Sequence, residues 1–319
     1  MLNQLPNPKI LLNAVTLGEA KDSSAIENIV TTYDEIYKEM ISETSVSDSA
    51  KEVLRYKTAI SNGFEELKAK GFISINSLID IQECVEASRA GIRKLPGTVI
   101  KNTLTGEVVH TPPQSEEEIL DYLKNLEDYI NTDQTYDPLV NMAVIHFQFE
   151  TIHPFYDGNG RTGRILNVLY LVMSGKIDYP VLYLSKYIID NKAEYYTLLK
   201  ECNISEAAIT KFVQYILRGI ESTSVFTINF INEITKSMEN TANMMKEKLP
   251  KIYSKELVEF LYYEFYTKNE FLRIELNISR NTATKYLKLL EENGLKKKKK
   301  VGKEVIYKNV ALFNLMDKW

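Results

Sequence analysis

Apolar residues recur three and four positions apart along most of this chain, and the rhythm breaks in three places only. "SSAIENIVTTYDEIYKEM" predicts a helix over about 22–40, with Ser23 or Ser24 as its cap. Ile26, Ile29, Val30, Tyr33, Ile36 and Tyr37 form its apolar face, and Glu27 falls in its first turns. "AKEVLRYKTAISNGFEELKAKG" and "INSLIDIQECVEASRAGI" repeat the helical spacing. The first break is 93–114, "RKLPGTVIKNTLTGEVVHTPPQ". Its β-branched runs between Pro96-Gly97 and Thr105-Gly106, closed by Pro112-Pro113, predict a β-hairpin flap.

Helical spacing resumes at "SEEEILDYLKNLEDYI", where Ser115 and Glu118 suit a capping box. "PLVNMAVIHFQFETI" and "RTGRILNVLYLVMSG" are strongly apolar and predict buried helices; the second break, "HPFYDGNG", lies between them. "NKAEYYTLLKECN" and "AAITKFVQYILRGIESTS" continue the bundle, and the polar, Met-rich "FINEITKSMENTANMMKEKLP" bridges to a second domain. There "NEFLRIELNISRNTATKYLKLLEENGL" gives two short helices turning at Asn277–Ser279. The third break, "KKKKKVGKEVIYKNV", reads as two strands turning at Gly302. A helix-turn-helix followed by a basic hairpin is the layout of a winged helix. The expected architecture is mainly α: a helical region over 1–105 that includes the start of the flap, a helical core over 106–225, a linker helix over 226–250 and a small α+β winged helix over 251–319. No internal repeat is present.

Composition narrows the class. The chain has 319 residues, 44% hydrophobic and 26% charged, which is the balance of a globular protein of about two domains. Its longest apolar run, 165–173, is too short to span a bilayer, and the first residues lack a secretory layout, so a cytoplasmic protein without membrane contact is expected. Cys84 and Cys202 are too far apart in sequence to indicate a zinc site or a disulfide framework. The net charge of −4 hides an asymmetry: residues 251–319 carry +6, leaving −10 on the rest. A basic end on an acidic body suits a nucleic-acid-facing or acidic-partner module.

The candidate chemistry sits in "HPFYDGNGRTGR", 153–164. His153 precedes a proline, so the chain is expected to leave its helix extended, with the imidazole placed to accept a proton. Gly158, Gly160 and Gly163 let backbone N–H groups turn inward at a helix N-terminus, a nest for an anion. Arg161 and Arg164, three apart, are expected on one face beside that nest, suiting an oligophosphate. Asp157 would repel such an anion unless magnesium lies between them, and Asn159 can reach a phosphate oxygen. The candidate nucleotide site is therefore Gly158 to Arg164, Thr162 included, with Asp157 as metal ligand. No phosphate-loop signature and no calcium-loop spacing occur, and His146 reads as a core residue.

These twelve residues resemble the Fic (Fic/Doc) family motif, His-Pro-Phe-x-Asp/Glu-Gly-Asn-Gly-Arg-x-x-Arg, at every fixed position. The resemblance implies a Fic-type bundle and protein adenylylation. His153 deprotonates a Ser, Thr or Tyr hydroxyl of a target protein, or of the chain itself, which takes AMP from ATP. Asp157 holds Mg²⁺, and Arg161 and Arg164 stabilise the β- and γ-phosphates. By the same resemblance Tyr195, Tyr196 and Asn203 line the base and ribose. Thr98, Val99, Ile100 and Lys101 belong to a hairpin that registers an extended target. Ser23, Glu27 and Asn28 fill an inhibitory motif in which Glu27 pairs with Arg164. Relatives that transfer the γ-phosphate carry Lys where this chain has Gly160. The same glutamate in some relatives serves removal of AMP. A different nucleotide donor, and a DNA-binding regulator whose Fic-like body senses nucleotide, are the alternatives. The winged helix is a candidate for duplex DNA, protein docking or homo-oligomer formation.

Overall fold

The computed structural model describes residues 8–42, 47–101, 108–132, 136–263, 265–301 and 304–317. The first elements are helices α1 (Pro8–Ile26), α2 (Tyr33–Ile41), α3 (Asp48–Lys70) and α4 (Ile75–Glu86). Strands β1 (Ile100–Lys101) and β2 (Val108–His110) form the flap. Helices α5 (Glu116–Asn131), α6 (Pro138–Ile152), α7 (Asn159–Met173), α8 (Leu184–Asp190), α9 (Lys192–Cys202) and α10 (Glu206–Lys248) come next. The chain ends with α11 (Lys255–Tyr263), β3 (Tyr266–Thr267), α12 (Asn269–Glu275), α13 (Arg280–Glu292), β4 (Lys296–Val301), β5 (Glu304–Asn309) and α14 (Val310–Asp317). The mainly helical class expected from the sequence is the one observed. Among the described residues no helix is long and apolar enough to cross a membrane.

The N-terminal helix differs from expectation. Ser23 and Ser24 do not cap a helix; they are buried in the last turn of α1. Asn28 takes the left-handed conformation at φ 66°, and Ile29 N–H returns to Ser24 O, which ends α1. Thr32 and Glu35 then form a capping box that starts α2. Glu27 thus sits on the turn after a helix, not in the first turn of one, and Val30 is exposed, not apolar face.

The chain divides into two compact units, one of residues 15–31 and 48–224, the other of 1–14, 32–47 and 225–319. In the first, α6 packs against α5 and α7, while α3 and α4 pair with each other and both contact α7. Asp137 caps α6, with Pro138 at its first position. Every residue of α7 from Arg161 to Leu171 is buried, so this helix forms the axis of the unit. The flap strands pair antiparallel, Ile100 with His110 and Lys101 with Val108; the expected Thr105-Gly106 turn lies outside the described residues.

The second unit contains a three-stranded antiparallel sheet, order β3-β5-β4, with α11 to α13 preceding the basic strand β4; the expected Gly302 turn lies outside the described residues. Ser279 caps α13, as its spacing suggests. Tyr37 of α2 stacks on Phe265 at 4.5 Å, and Asp34 accepts from Tyr266 Oη at 2.5 Å and Lys299 Nζ at 3.1 Å. The helical core and the linker helix expected on either side of 225 share one continuous helix, α10, and the boundary between the two compact units falls within it, between residues 224 and 225.

Candidate active site

Helix α6 stops at His153, which is left-handed at φ 47°, not extended as expected. Proline disfavours the right-handed helical region for the residue before it; the left-handed region lets the chain turn at once, and His tolerates it better than most residues. His153 N–H donates to Phe149 O at 3.0 Å, and its carbonyl accepts from Arg93 Nε at 2.8 Å. The imidazole Nδ1 is buried and has no hydrogen-bond partner among the described residues. Burial and the Arg93 cation push the ring down to about 4, against the Glu27 carboxylate and the Glu150 carbonyl, which act upward. The ring is therefore neutral at physiological pH, the form a proton acceptor requires.

The turn after His153 is held from inside. Phe155 is buried and bridges Ile92. Asn159 clamps it, accepting from Phe155 N at 2.9 Å and donating Nδ2 to Phe155 O at 2.8 Å. With its carbonyl and one amide hydrogen engaged on Phe155, Asn159 clamps the loop. Asp157 is exposed at the lip, its Oδ1 accepting from Gly158 N at 2.7 Å. Gly158 itself needs a positive φ of 79° and caps α7 without a side chain, so the first-turn amides of α7 have no side-chain cap. Thr162 is buried in that turn, and Gly163 faces α6, where a Cβ would meet Glu150 Oε1 at 2.8 Å.

Above the α7 N-terminus sits a carboxylate from α1. A Cβ on Gly160 would run into Glu27 Oε1, and would lie 3.0 Å from Arg164 Nη1. Arg164 is buried, donating Nε to Ser23 Oγ at 2.7 Å, and Nη2 both to Ser23 O at 3.0 Å and to Glu27 Oε1 at 2.8 Å. Burial pushes the Glu27 carboxyl up, but Arg164 first, then Arg161 and Lys192, hold it below its usual range. Asn28 comes next, on the exposed left-handed turn.

Arg161 departs from expectation. Its guanidinium turns away from Arg164 toward α3 and α4, donating Nη1 to Glu52 Oε2 at 3.0 Å and Nη2 to Glu86 Oε1 at 2.5 Å. Positions three apart share a helix face at Cβ, but long side chains diverge toward separate counter-ions. Arg161 is a buried brace under the turn, and of the two arginines it is Arg164 that bonds the Glu27 carboxylate.

The base-pocket residues separate as well. Tyr195 is buried in the core with its hydroxyl 2.8 Å from His146 Nε2, so it does not line an open pocket. His146 lies in that core, as its apolar helix suggests. Asn203 is exposed and donates to Leu199 O at 2.9 Å, closing α9. Tyr196 is only partly buried, with Lys192 Nζ 6.0 Å from its ring centre. On the flap, Gln114 accepts from Gly97 N at 2.7 Å and donates to Thr98 O at 3.1 Å; Val99 is exposed, Ile100 half-buried, and Lys101 pairs through its backbone.

Comparison with known families agrees with this geometry. Residues 72–171, which contain the whole loop, match the Fic/DOC family model, and residues 1–65 match the Fic/DOC family N-terminal model. The chain belongs to the Fic/DOC family. Residues 237–312 match the C-terminal domain of SoFic-like protein adenylyltransferases. Protein adenylyltransferase fic-1 of Caenorhabditis elegans is 32% identical over 139 residues, 43% of this chain and 25% of that one. Protein adenylyltransferase Fic of Drosophila grimshawi is 30% identical over 149 residues, 46% and 29% of the two chains. The matched stretch thus spans under a third of the length of these relatives. Among solved structures, a Fic family protein from Desulfovibrio desulfuricans shares the fold at TM-score 0.59 and 20% identity, over 97% of this chain and 90% of that one. Fic-1 from C. elegans does so at 0.55 and 23%, over 72% and 66%.

Several residues of this Fic site carry no signal in the sequence. Glu52 and Glu86 are ordinary helical carboxylates until the fold brings them to Arg161. Lys192 Nζ reaches Ile26 O at 2.6 Å and satisfies the end of α1 beside Glu27. Glu150 is a buried carboxyl one helical turn before His153, pushed up to about 7 by burial against the pull of Arg164. Arg93 would have been found only by asking what a buried arginine at the start of a flap could bond.

Proposed function

We propose that this chain transfers AMP from ATP to a hydroxyl of a protein, and that Glu27 restrains the transfer. One observation carries the reading: a carboxylate occupies the uncapped N-terminus of α7 above Gly160 while paired with Arg164. Helix N-termini beside a guanidinium favour anions, so the Glu27 carboxylate stands in for the phosphate oxygens that would bind there. With Glu27 displaced, the first-turn amides of α7 and Arg164 receive the triphosphate.

His153, neutral and next to this turn, takes the proton of the target hydroxyl. The oxygen attacks the α-phosphorus, the bond to the bridging oxygen breaks, and pyrophosphate leaves. Positioning and charge neutralisation supply most of the catalysis in such displacements. Asp157 suits magnesium held by one carboxylate and phosphate oxygens, and the ion would neutralise charge on the phosphates. Among the described residues no group of three His, Cys, Asp or Glu could hold a metal without the nucleotide. The exposed segment at Val99, just before β1, is suited to pairing with an extended target. Transfer of label from α-labelled ATP to protein by the Glu27→Gly form, lost on His153→Ala, tests the reading; equal labelling by both would overturn it.

A second activity has its own support. Arg280, Asn281, Thr284, Lys285 and Lys288 are exposed along α13, and Lys297, Lys298 and Lys300 along β4. This face suits duplex DNA, with α13 toward base edges and β4 toward phosphates. Salt-dependent binding of a duplex, weakened by Lys285→Glu, supports it. A nucleotide-sensing regulator would bind DNA and transfer no AMP.

A further inference from the structure

We infer that Arg93 is a positioning residue of the transfer reaction: it ties both ends of the flap to the backbone of His153 and sets a positive charge beside the imidazole. The inference rests on the role of His153 as proton acceptor. Arg93 is fully buried at the start of the flap. Its Nε donates to His153 O at 2.8 Å, and Nη2 donates to Ile152 O at 3.3 Å and to Pro113 O, at the far end of the flap. Its own N–H donates to Pro154 O at 2.9 Å, and the preceding Ile92 bridges Phe155. One side chain thus joins the two roots of the flap to the left-handed residue that presents the base.

Carbonyl bonding alone does not need a cation. A buried charge is costly; burial pushes the Arg93 guanidinium down, and Tyr156 and the Glu118 carboxylate act on it in the opposite sense without a direct ion pair among the described residues. A neutral amide could satisfy one or two of these carbonyls at lower cost. What the charge adds is its effect on the neighbouring ring. Burial opposes protonation of His153 most strongly, then Arg93, and more weakly His110 from β2; Glu27 after the end of α1 and the Glu150 carbonyl on α6 favour it. When Glu27 leaves its seat, the largest charge favouring protonation goes with it, and Arg93 is the charge that adds to burial in holding the ring neutral. The same guanidinium therefore fixes where the base stands, which form it takes and where the flap begins.

The chain has three histidines, so their imidazoles can be followed individually by NMR in the full chain, His153 being identified by the signal lost in His153→Ala. The parent is expected to keep His153 neutral down to about pH 5. Arg93→Gln, which keeps donors and loses the charge, should move its titration up toward 6.5, while Arg93→Lys should leave it low. In a Glu27→Gly background, the acid limb of self-labelling should rise in the Gln variant and be restored by Lys. An unmoved His153 titration in folded Arg93→Gln, or an equal rise in both variants, would overturn the proposal. If the Gln variant does not fold, Lys alone decides, since an upward move there removes the electrostatic role. The NMR readout needs no AMP transfer, so its failure is separable from failure of the adenylylation reading.

Discussion

Glu27 Oε1 accepts from Arg164 Nη2 at 2.8 Å across 137 positions of sequence, and the same oxygen fills the space directly above Gly160. One carboxylate therefore both engages the Arg164 guanidinium and lies against Gly160 in the first turn of α7. A hydrogen bond to a charged group contributes about 1.5–3 kcal/mol. Glu27→Gly is accordingly expected to raise self-labelling from α-labelled ATP by about ten- to a hundredfold, checked by initial rates.

Ser23 supports the same restraint more weakly. Ser23→Ala removes the bond from Arg164 Nε but keeps the bond to the Ser23 carbonyl. Labelling should rise severalfold, less than in Glu27→Gly, and the melting temperature should fall because a buried donor is left unpaired.

The two arginines should separate in a paired experiment. Arg164→Ala in the Glu27→Gly background should abolish ATP binding by calorimetry. Arg161→Ala strands Glu52 and Glu86 against each other and should cost about 3–5 kcal/mol of stability, read by denaturant melts. A milder Arg161→Lys should leave ATP affinity nearly unchanged, which distinguishes a brace from a phosphate ligand.

Gly160→Ala tests the seat itself. The new methyl cannot coexist with Glu27 in place, so the restraint is broken, but it also occupies the position of the anion. Nucleotide affinity should drop even with Glu27→Gly present; unaltered calorimetric affinity in that double variant would place the phosphates elsewhere.

Glu150 gives a pH signature in stability. Burial pushes its carboxyl up to about 7 from 4.5, so the folded state holds a proton that the unfolded chain releases between those values. The associated stability is present below 4.5 and is lost as pH rises through 7. Glu150→Gln should raise the melting temperature at about pH 8 and change it little near pH 4.5, by calorimetric scans. His153, pushed down to about 4, acts in the opposite sense between 4 and 6.5, which is why the comparison is made with the Gln variant at each pH.

How much of the molecule is legible in its sequence divides along physical lines. The loop can be read because His-Pro, the glycines and the arginines are contiguous, and local backbone chemistry is written locally. The helices α6 and α7 are evident from apolar density, and the cap of α13 from Ser279. The start of α2 is hidden because "SSAIEN" satisfies a helix N-terminus and a helix C-terminus equally well; a left-handed Asn28 and the Thr32–Glu35 box decide between them. Side-chain direction is the other loss. Spacing turns Arg161 toward a ligand, position in the loop does so for Asn159 and the family resemblance for Tyr195, but each has a partner in the fold that none of these reveals: Glu52 with Glu86, Phe155, and His146.

The position of Glu27 just past the end of α1 has a further consequence. Peptide dipoles leave a partial negative charge at that end of a helix, and the Lys192 ammonium, bonded to Ile26 O, offsets it beside the Glu27 carboxylate. Under the proposed restraint, edits to Lys192 or to the turn at residues 28–31 are expected to retune how firmly Glu27 holds Arg164.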